Sequence, residues 1–218
     1  MSNTIYTNNL DVKVALGQIE GWRAFRMFAM NPDVAVGTED IWPLGTAKVW
    51  PTAASTVSVV SSDAADDAVG TGAQTVVVGG LDANYDEISE EIELDGLTPV
   101  VSTASFLRVN TMLVKRVGSG EVNAGNITAS QGGNAQRYIE AGEGQCHCSH
   151  RTVPAGHSLV IRYYETGVGR MVNGDAQIQG YIRLYDETSN DNYQSWRSIS
   201  DVFVYNGGRH DNNASVTV

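Results

Sequence analysis

The chain is short of positive charge, of cysteine and of long apolar runs, and each shortage removes a class of function. Lys and Arg number 14 against 25 Asp and Glu, a formal charge of −11 with a pI near 4.6. A duplex-DNA binder needs a basic face to displace counterions, and a protein lying on anionic lipid needs Lys and Arg on its polar side; neither nucleic acid nor membrane is an expected partner. No apolar run nears the ~20 residues of a membrane span, and residues 1–10 lack a basic region followed by an apolar stretch. The expectation is a soluble protein synthesised in the cytoplasm, or released by a route that needs no signal peptide. The two cysteines, Cys146 and Cys148, make no disulfide framework. On an extended strand their Cα atoms would stand roughly 6.5–7 Å apart, at or beyond disulfide reach, so both read as free thiols.

What is present is enough material for a core: 218 residues, 42% of them hydrophobic and only 18% charged. Residues 1–45 read as an irregular arm. The stretch Trp22-Arg-Ala-Phe-Arg-Met-Phe-Ala-Met30 is apolar on nearly every side, with no clean 3.6 or 2.0 period. Its Trp22, Phe25, Met27, Phe28 and Met30, together with Trp42 and Trp50, are the predicted interface residues, burying aromatics against the same domain or a neighbouring subunit.

Beyond the arm, residues 46–218 read as strand after strand, separated by Gly, Asn, Asp and Ser. Expected strands cover 56–60, 75–78, 87–94, 105–117, 127–130, 136–141, 145–153, 158–165, 176–187, 195–205 and 214–218. In residues 87–94, Ile88, Glu90, Ile92 and Leu94 fall on one face and Glu87, Ser89, Glu91 and Glu93 on the other, as in an antiparallel sheet with one wet face. The 23 glycines serve the many turns. The predicted fold is all-β, an antiparallel, jelly-roll-like sandwich, with two small sandwiches divided near 117–125 as the other compatible arrangement. A faint echo links residues 69–75 (Val-Gly-Thr-Gly-Ala-Gln-Thr) with 117–123 (Val-Gly-Ser-Gly-Glu-Val-Asn), which a shared loop type explains.

Candidate chemistry is sparse. On a strand, Cys146, Cys148 and His150 would share a face and offer three soft or borderline metal ligands, with His147 pointing away and a fourth ligand from His157, His210 or another chain. The C-x2-C knuckle spacing is missing, so a strand with two small thiols and two surface imidazoles is the preferred reading. The run from Asp82 to Glu93 partly matches a calcium loop, but Glu87 stands where Gly belongs, and a hairpin turn entering an acidic strand explains it better. Gly70-Thr-Gly72 and Gly118-Ser-Gly120 lack the Lys-Ser/Thr end of a phosphate loop, and Ser119 sits in no nucleophile elbow. No cofactor and no catalytic residue is expected. Tyr163, Tyr164, Tyr181, Tyr185, Tyr193, Trp196 and Tyr205, interleaved with Asn190, Asp191 and Asn192, form either a sugar or protein contact surface or part of the core.

A set of strings carries a family resemblance. They include Gly37-Thr-Glu-Asp-Ile-Trp-Pro43, Val49-Trp-Pro-Thr-Ala-Ala54, Gly80-Leu-Asp-Ala-Asn-Tyr85, Phe106-Leu-Arg-Val-Asn110, Gly118-Ser-Gly-Glu-Val-Asn-Ala-Gly-Asn-Ile-Thr128 and Thr152-Val-Pro-Ala-Gly156. Between about Trp22 and Gly156 the chain resembles virion structural proteins of tailed bacteriophages, notably marine and cyanobacterial ones. The resemblance implies a non-enzymatic particle component, localised to the virion after synthesis in the host cytoplasm. Its expected partners are the major capsid protein or other virion proteins, and further copies of itself in a symmetric oligomer, a trimer by preference. The leading expectation is a capsid decoration, cement or head-fibre protein. The alternatives are a tail, neck or receptor-binding component contacting host carbohydrate, and a β-sandwich polysaccharide hydrolase whose carboxylates the sequence does not name.

Overall fold

The computed structural model describes residues 9–35, 37, 39–167, 178–184, 197–204, 209–212 and 216–217. One short helix, α1 (Leu10–Ala15), is capped by Asn9, whose Oδ1 accepts the N–H groups of Asp11 and Val12 at 2.9 and 3.3 Å. No helix among the described residues is long and apolar enough to cross a membrane. Among the described residues, everything else with regular structure is β, and every strand pairing is antiparallel.

The chain forms two compact units, Met1–Ala155 and Gly156–Val218. The first holds β1 (Ser55–Ser61), β2 (Ala73–Leu81), β3 (Glu87–Glu93), β4 (Val100–Phe106), β5 (Arg108–Val117), β6 (Ile127–Gln131) and β7 (Asn134–Ile139). These make a four-stranded sheet ordered β4-β1-β6-β7 and a three-stranded sheet ordered β3-β2-β5. Val57, Val59, Ile127, Ala129 and Ile139 of the first sheet share one buried cluster with Val76, Val78, Ile92, Val109 and Met112 of the second, so the unit is an antiparallel sandwich-like fold. Its seven strands are one fewer than the eight of a jelly roll. Residues 117–125 lie inside this unit, joining β5 to β6. The second unit contains β8 (Val160–Ile161), β9 (Tyr164–Gly167), β10 (Ile178–Leu184), β11 (Arg197–Val204), β12 (Arg209–Asn212) and β13 (Val216–Thr217), paired β10-β11, β12-β9 and β13-β8.

The period-two reading of β3 holds: Ile92 and Leu94 are buried while Glu87, Ser89, Glu91 and Glu93 are exposed. The acidic stripe is answered across the sheet by β5, where Lys115 pairs with Glu91, and Arg116 Nη2 lies 3.3 Å from Glu93. The turn before β3 is a hairpin, with Asp82 Oδ1 accepting the N–H groups of Asn84 and Asp86 at 2.7 and 3.0 Å. The two echoing glycine loops pack on each other: Gly118 N–H and Gly120 N–H donate to Gly72 O and Thr71 O at 2.8 and 2.7 Å.

Three expected strands need correction, and one of them, 158–165, is split into β8, paired with β13, and β9, paired with β12. Residues 105–117 are not one strand: β4 ends at Phe106, Leu107 turns the corner, and β5 starts at Arg108 in the other sheet. No turn residue marks the corner, because Leu107 N–H donates to Leu81 O at 2.7 Å, and Gly80 lets the Arg108 carbonyl approach to where a Cβ would meet it at 1.9 Å. Residues 145–153 form no strand beyond an isolated bridge from Gln145 to Leu113. Side chains take the backbone groups a ladder would have used. Asn110 Nδ2 donates to Thr152 O at 2.9 Å, Asn110 Oδ1 accepts Thr152 N–H at 2.9 Å, and Arg137 Nη2 donates to Asn110 O and His150 O at 3.0 and 2.8 Å.

Candidate functional site

The arm divides into an exposed part and a buried seat. Trp22, Phe25, Met27 and Phe28 are 51%, 46%, 43% and 60% exposed, a run of large apolar surface unusual for a folded chain. Met30 is half-buried, and its N–H donates to His147 O at 3.4 Å. Local contacts hold the exposed part near the first unit. Arg23 pairs with Glu87, the Arg151 guanidinium lies 4.0 Å from the Phe25 ring centre, and the Phe28 ring meets His147 edge-on at 5.0 Å. Glu87 raises the Arg23 pKa by hydrogen bonding and by its charge.

Trp42 and Trp50, expected among the interface residues, are not on that surface. Trp42 is 2% exposed, with its Nε1–H donating to Thr46 O at 2.7 Å, and Trp50 is half-buried. Between them lies Lys48, 8% exposed, its Nζ 5.6 and 5.3 Å from the two ring centres and donating to Gln136 O at 2.7 Å. Burial, reinforced by the nearby Arg137 charge, pushes the Lys48 pKa down to about 6. Compact packing therefore reaches well back into residues 1–45, and the free part of the arm ends near Phe28.

His150 completes the seat. Its ring meets Trp42 and Trp50 edge-on, each at 5.8 Å, and Nε2 stands 3.3 Å from Asp40 Oδ2, off the line of a hydrogen bond. Burial lowers its pKa, against the opposing pull of Asp40. Two buried arginines donate to backbone carbonyls nearby. Arg108 Nη1 donates to Pro51 O and Leu107 O at 2.7 and 2.9 Å, and Arg137 Nη1 donates to Gln136 O at 2.8 Å. Lys48, Arg108 and Arg137 were not singled out in the sequence, although a Lys flanked by apolar residues between two tryptophans was a visible signal. No local pattern marks the two arginines.

The predicted metal ligands lie in this same neighbourhood but on an irregular segment, so the shared strand face that grouped them is absent. Cys148 and His147 are each 6% exposed, Cys146 is half-buried, and neither imidazole is on the surface, contrary to expectation. Cys146 N–H donates to Met112 O at 3.0 Å, whereas His150 turns to the tryptophans and Asp40. Among the described residues, no group of three or more His, Cys, Asp or Glu is arranged to hold a metal ion. His157 is exposed, and the His210 side chain lies outside the described residues. Of the tyrosine-rich set, Tyr163 is half exposed with its hydroxyl donating to Glu165 at 2.9 Å, and Tyr164 is half-buried. The side chains of Tyr181, Tyr185, Tyr193, Trp196 and Tyr205 are outside the described residues.

Two carboxylates, buried Asp66 and half-buried Glu90, are structural. Asp66 is fully buried and accepts four hydrogen bonds, from Ser61 Oγ, Ala73 N, Ala124 N and Gly125 N, at 2.6–2.9 Å. Glu90 reaches from β3 across to β4 and accepts from Thr103 N, Thr103 Oγ1 and Ala104 N at 2.7–2.8 Å, closing an otherwise open sheet edge. Burial raises the Glu90 pKa, but these donors outweigh it and the net shift is downward.

Comparison with protein-family models, with curated proteins and with solved structures found no match to this chain.

Proposed function

We propose that the chain is a non-enzymatic structural component of a tailed-phage virion, a capsid-exterior decoration, cement or head-fibre protein that works as a symmetric oligomer. The supporting observation is the contrast within one unit. Its core is closed, while Trp22, Phe25, Met27 and Phe28 stay on the surface. Such a patch is suited to docking on a larger body. Many identical copies would convert weak arm contacts into durable attachment, and the acidic surface would keep particles apart. The resemblance noted in the sequence supports the same reading.

The test uses full-length protein carrying Trp22→Ser, Phe25→Ser, Met27→Ser and Phe28→Ser together, added to particles that lack the native copy. Wild type should decorate the shell in tens to hundreds of copies by cryo-EM, and the variant should leave it bare. Normal attachment by the variant refutes docking through the arm. A handful of wild-type copies at the tail vertex refutes the decoration role in favour of an adsorption component.

A further inference from the structure

We propose that the loop end of the first unit is a docking surface for the arm of a second copy of this chain, joining copies head to tail. The proposal rests on the reading of the arm as a docking segment and names what it docks on. Copies locked together by their arms would hold a particle through many weak contacts at once, and a chain without its arm would be left single.

The arm and the loop end stand at opposite ends of the sheet β3-β2-β5. At one end, Arg23 pairs with Glu87 at the start of β3, which lies beside Leu81 of β2, itself opposite Arg108 of β5. At the other, β3 finishes at Glu93 beside Thr75, and the loops 62–72, 94–99 and 118–126 meet. The seven residues of β3 put about 20 Å between these ends. An arm anchored at the first end through Arg23, Phe25 and Phe28 does not cover the second, so the arm that reaches it belongs to another copy.

The two ends are complementary in charge. Residues 21–30 hold Arg23 and Arg26 and no carboxylate, and both arginines are exposed. Glu87 of the same chain holds Arg23, which leaves Arg26 for a neighbour. The three loops hold no Lys or Arg, and their Asp63, Asp95 and Glu121 are exposed. Arg116, at the end of β5, is already paired with Glu93 at 3.3 Å. Two loop ends brought together would set carboxylate against carboxylate, and two arms would set arginine against arginine. The favourable contact is therefore heterologous, arm to loop end.

The loop end also carries apolar surface to meet Trp22, Phe25, Met27 and Phe28. Val69 is 90% exposed, Leu97 61% and Val122 40%. A single exposed valine needs no explanation, but these three stand on loops braced against one another. Ala68 N–H donates to Leu94 O at 2.9 Å, and Gly96 N–H to Asp66 O at 2.8 Å. Gly118 sits so close to Gly70 that a Cβ on it would meet the Gly70 carbonyl oxygen at 2.2 Å. Beneath them the buried Asp66 carboxylate ties Ser61 and Ala73 to Ala124 and Gly125. A surface held this firmly loses little conformational entropy when it is covered.

The test is sedimentation velocity of the full-length chain without particles. Wild type should associate at about 0.1 M salt and less so at about 1 M, where the screening length falls to ~3 Å. Arg26→Glu, and separately Asp95→Lys with Glu121→Lys, should each weaken association about tenfold or more by setting like charges together. Mixing these two variants should restore association between them, which also shows that both are folded. Val69→Ser with Leu97→Ser should weaken association with every charge intact. A monomeric wild type, association indifferent to the loop-end variants, or a mixture no better than its parts would overturn the proposal. A monomeric wild type that still attaches to particles through the arm overturns this partner and leaves the docking reading. Head-to-tail association in a chain whose quadruple arm variant attaches normally supports this contact and overturns the particle role of the arm.

Discussion

Replacing Lys48 by Met should stabilise the first unit at neutral pH and flatten its pH dependence. The side chain is 8% exposed, and its folded pKa falls from 10.5 to about 6. Between those values the unfolded chain holds the proton and the folded chain does not, so stability rises with pH by up to about 1.4 kcal/mol per unit. The cost of burying Lys48 is complete below about pH 6 and gone above 10.5. From pH 7 to pH 9 the wild type should therefore gain roughly 3 kcal/mol from this residue. The cysteines also titrate in this window. The lowered Cys146 adds to the rise up to its unfolded value, and the raised Cys148 opposes it above that value. The informative quantity is accordingly the difference between wild type and Lys48→Met, taken from urea unfolding at matched pH. Methionine fills a similar volume, and the Gln136 carbonyl keeps its hydrogen bond from Arg137 Nη1 at 2.8 Å, so the substitution strands no acceptor. Parallel pH profiles would refute the reasoning. They would mean that Lys48 stays charged between Trp42 and Trp50, held by the rings and by Gln136 O.

Asp66→Asn should cost about 3–5 kcal/mol, since it turns an amide N–H2 toward backbone donors that have no other acceptor in the site; a midpoint shift in urea reads it directly. Trp42→Ala should cost about 3–5 kcal/mol by emptying a buried site, whereas Phe28→Ser should stay within about 0.5 kcal/mol, because Phe28 is 60% exposed. Equal losses from these two would contradict the division of the arm into seat and free surface.

The acidic β3 stripe, the hairpin before it and the antiparallel character of the sheets were legible in the sequence. Each depends on neighbours a few residues away, and the period of two is imposed by strand geometry itself. The seat was not. Asp40, Lys48, Arg108, Arg137 and His150 come from separate stretches of the chain, and whether a cation is buried depends on which distant groups surround it. Trp22 and Trp42 look alike as letters, yet one is 51% and the other 2% exposed. The corner at Leu107 carries no turn residue because the room for it is provided by Gly80, on the neighbouring strand β2. Composition and periodicity by themselves determined an acidic, all-β chain with an apolar leading segment, because those properties are sums and local repeats. Only the tertiary structure decided which aromatics stay exposed, that 145–153 is irregular, and that Lys48 is buried between two tryptophans, because burial and partnership are set by contacts between residues far apart in the chain.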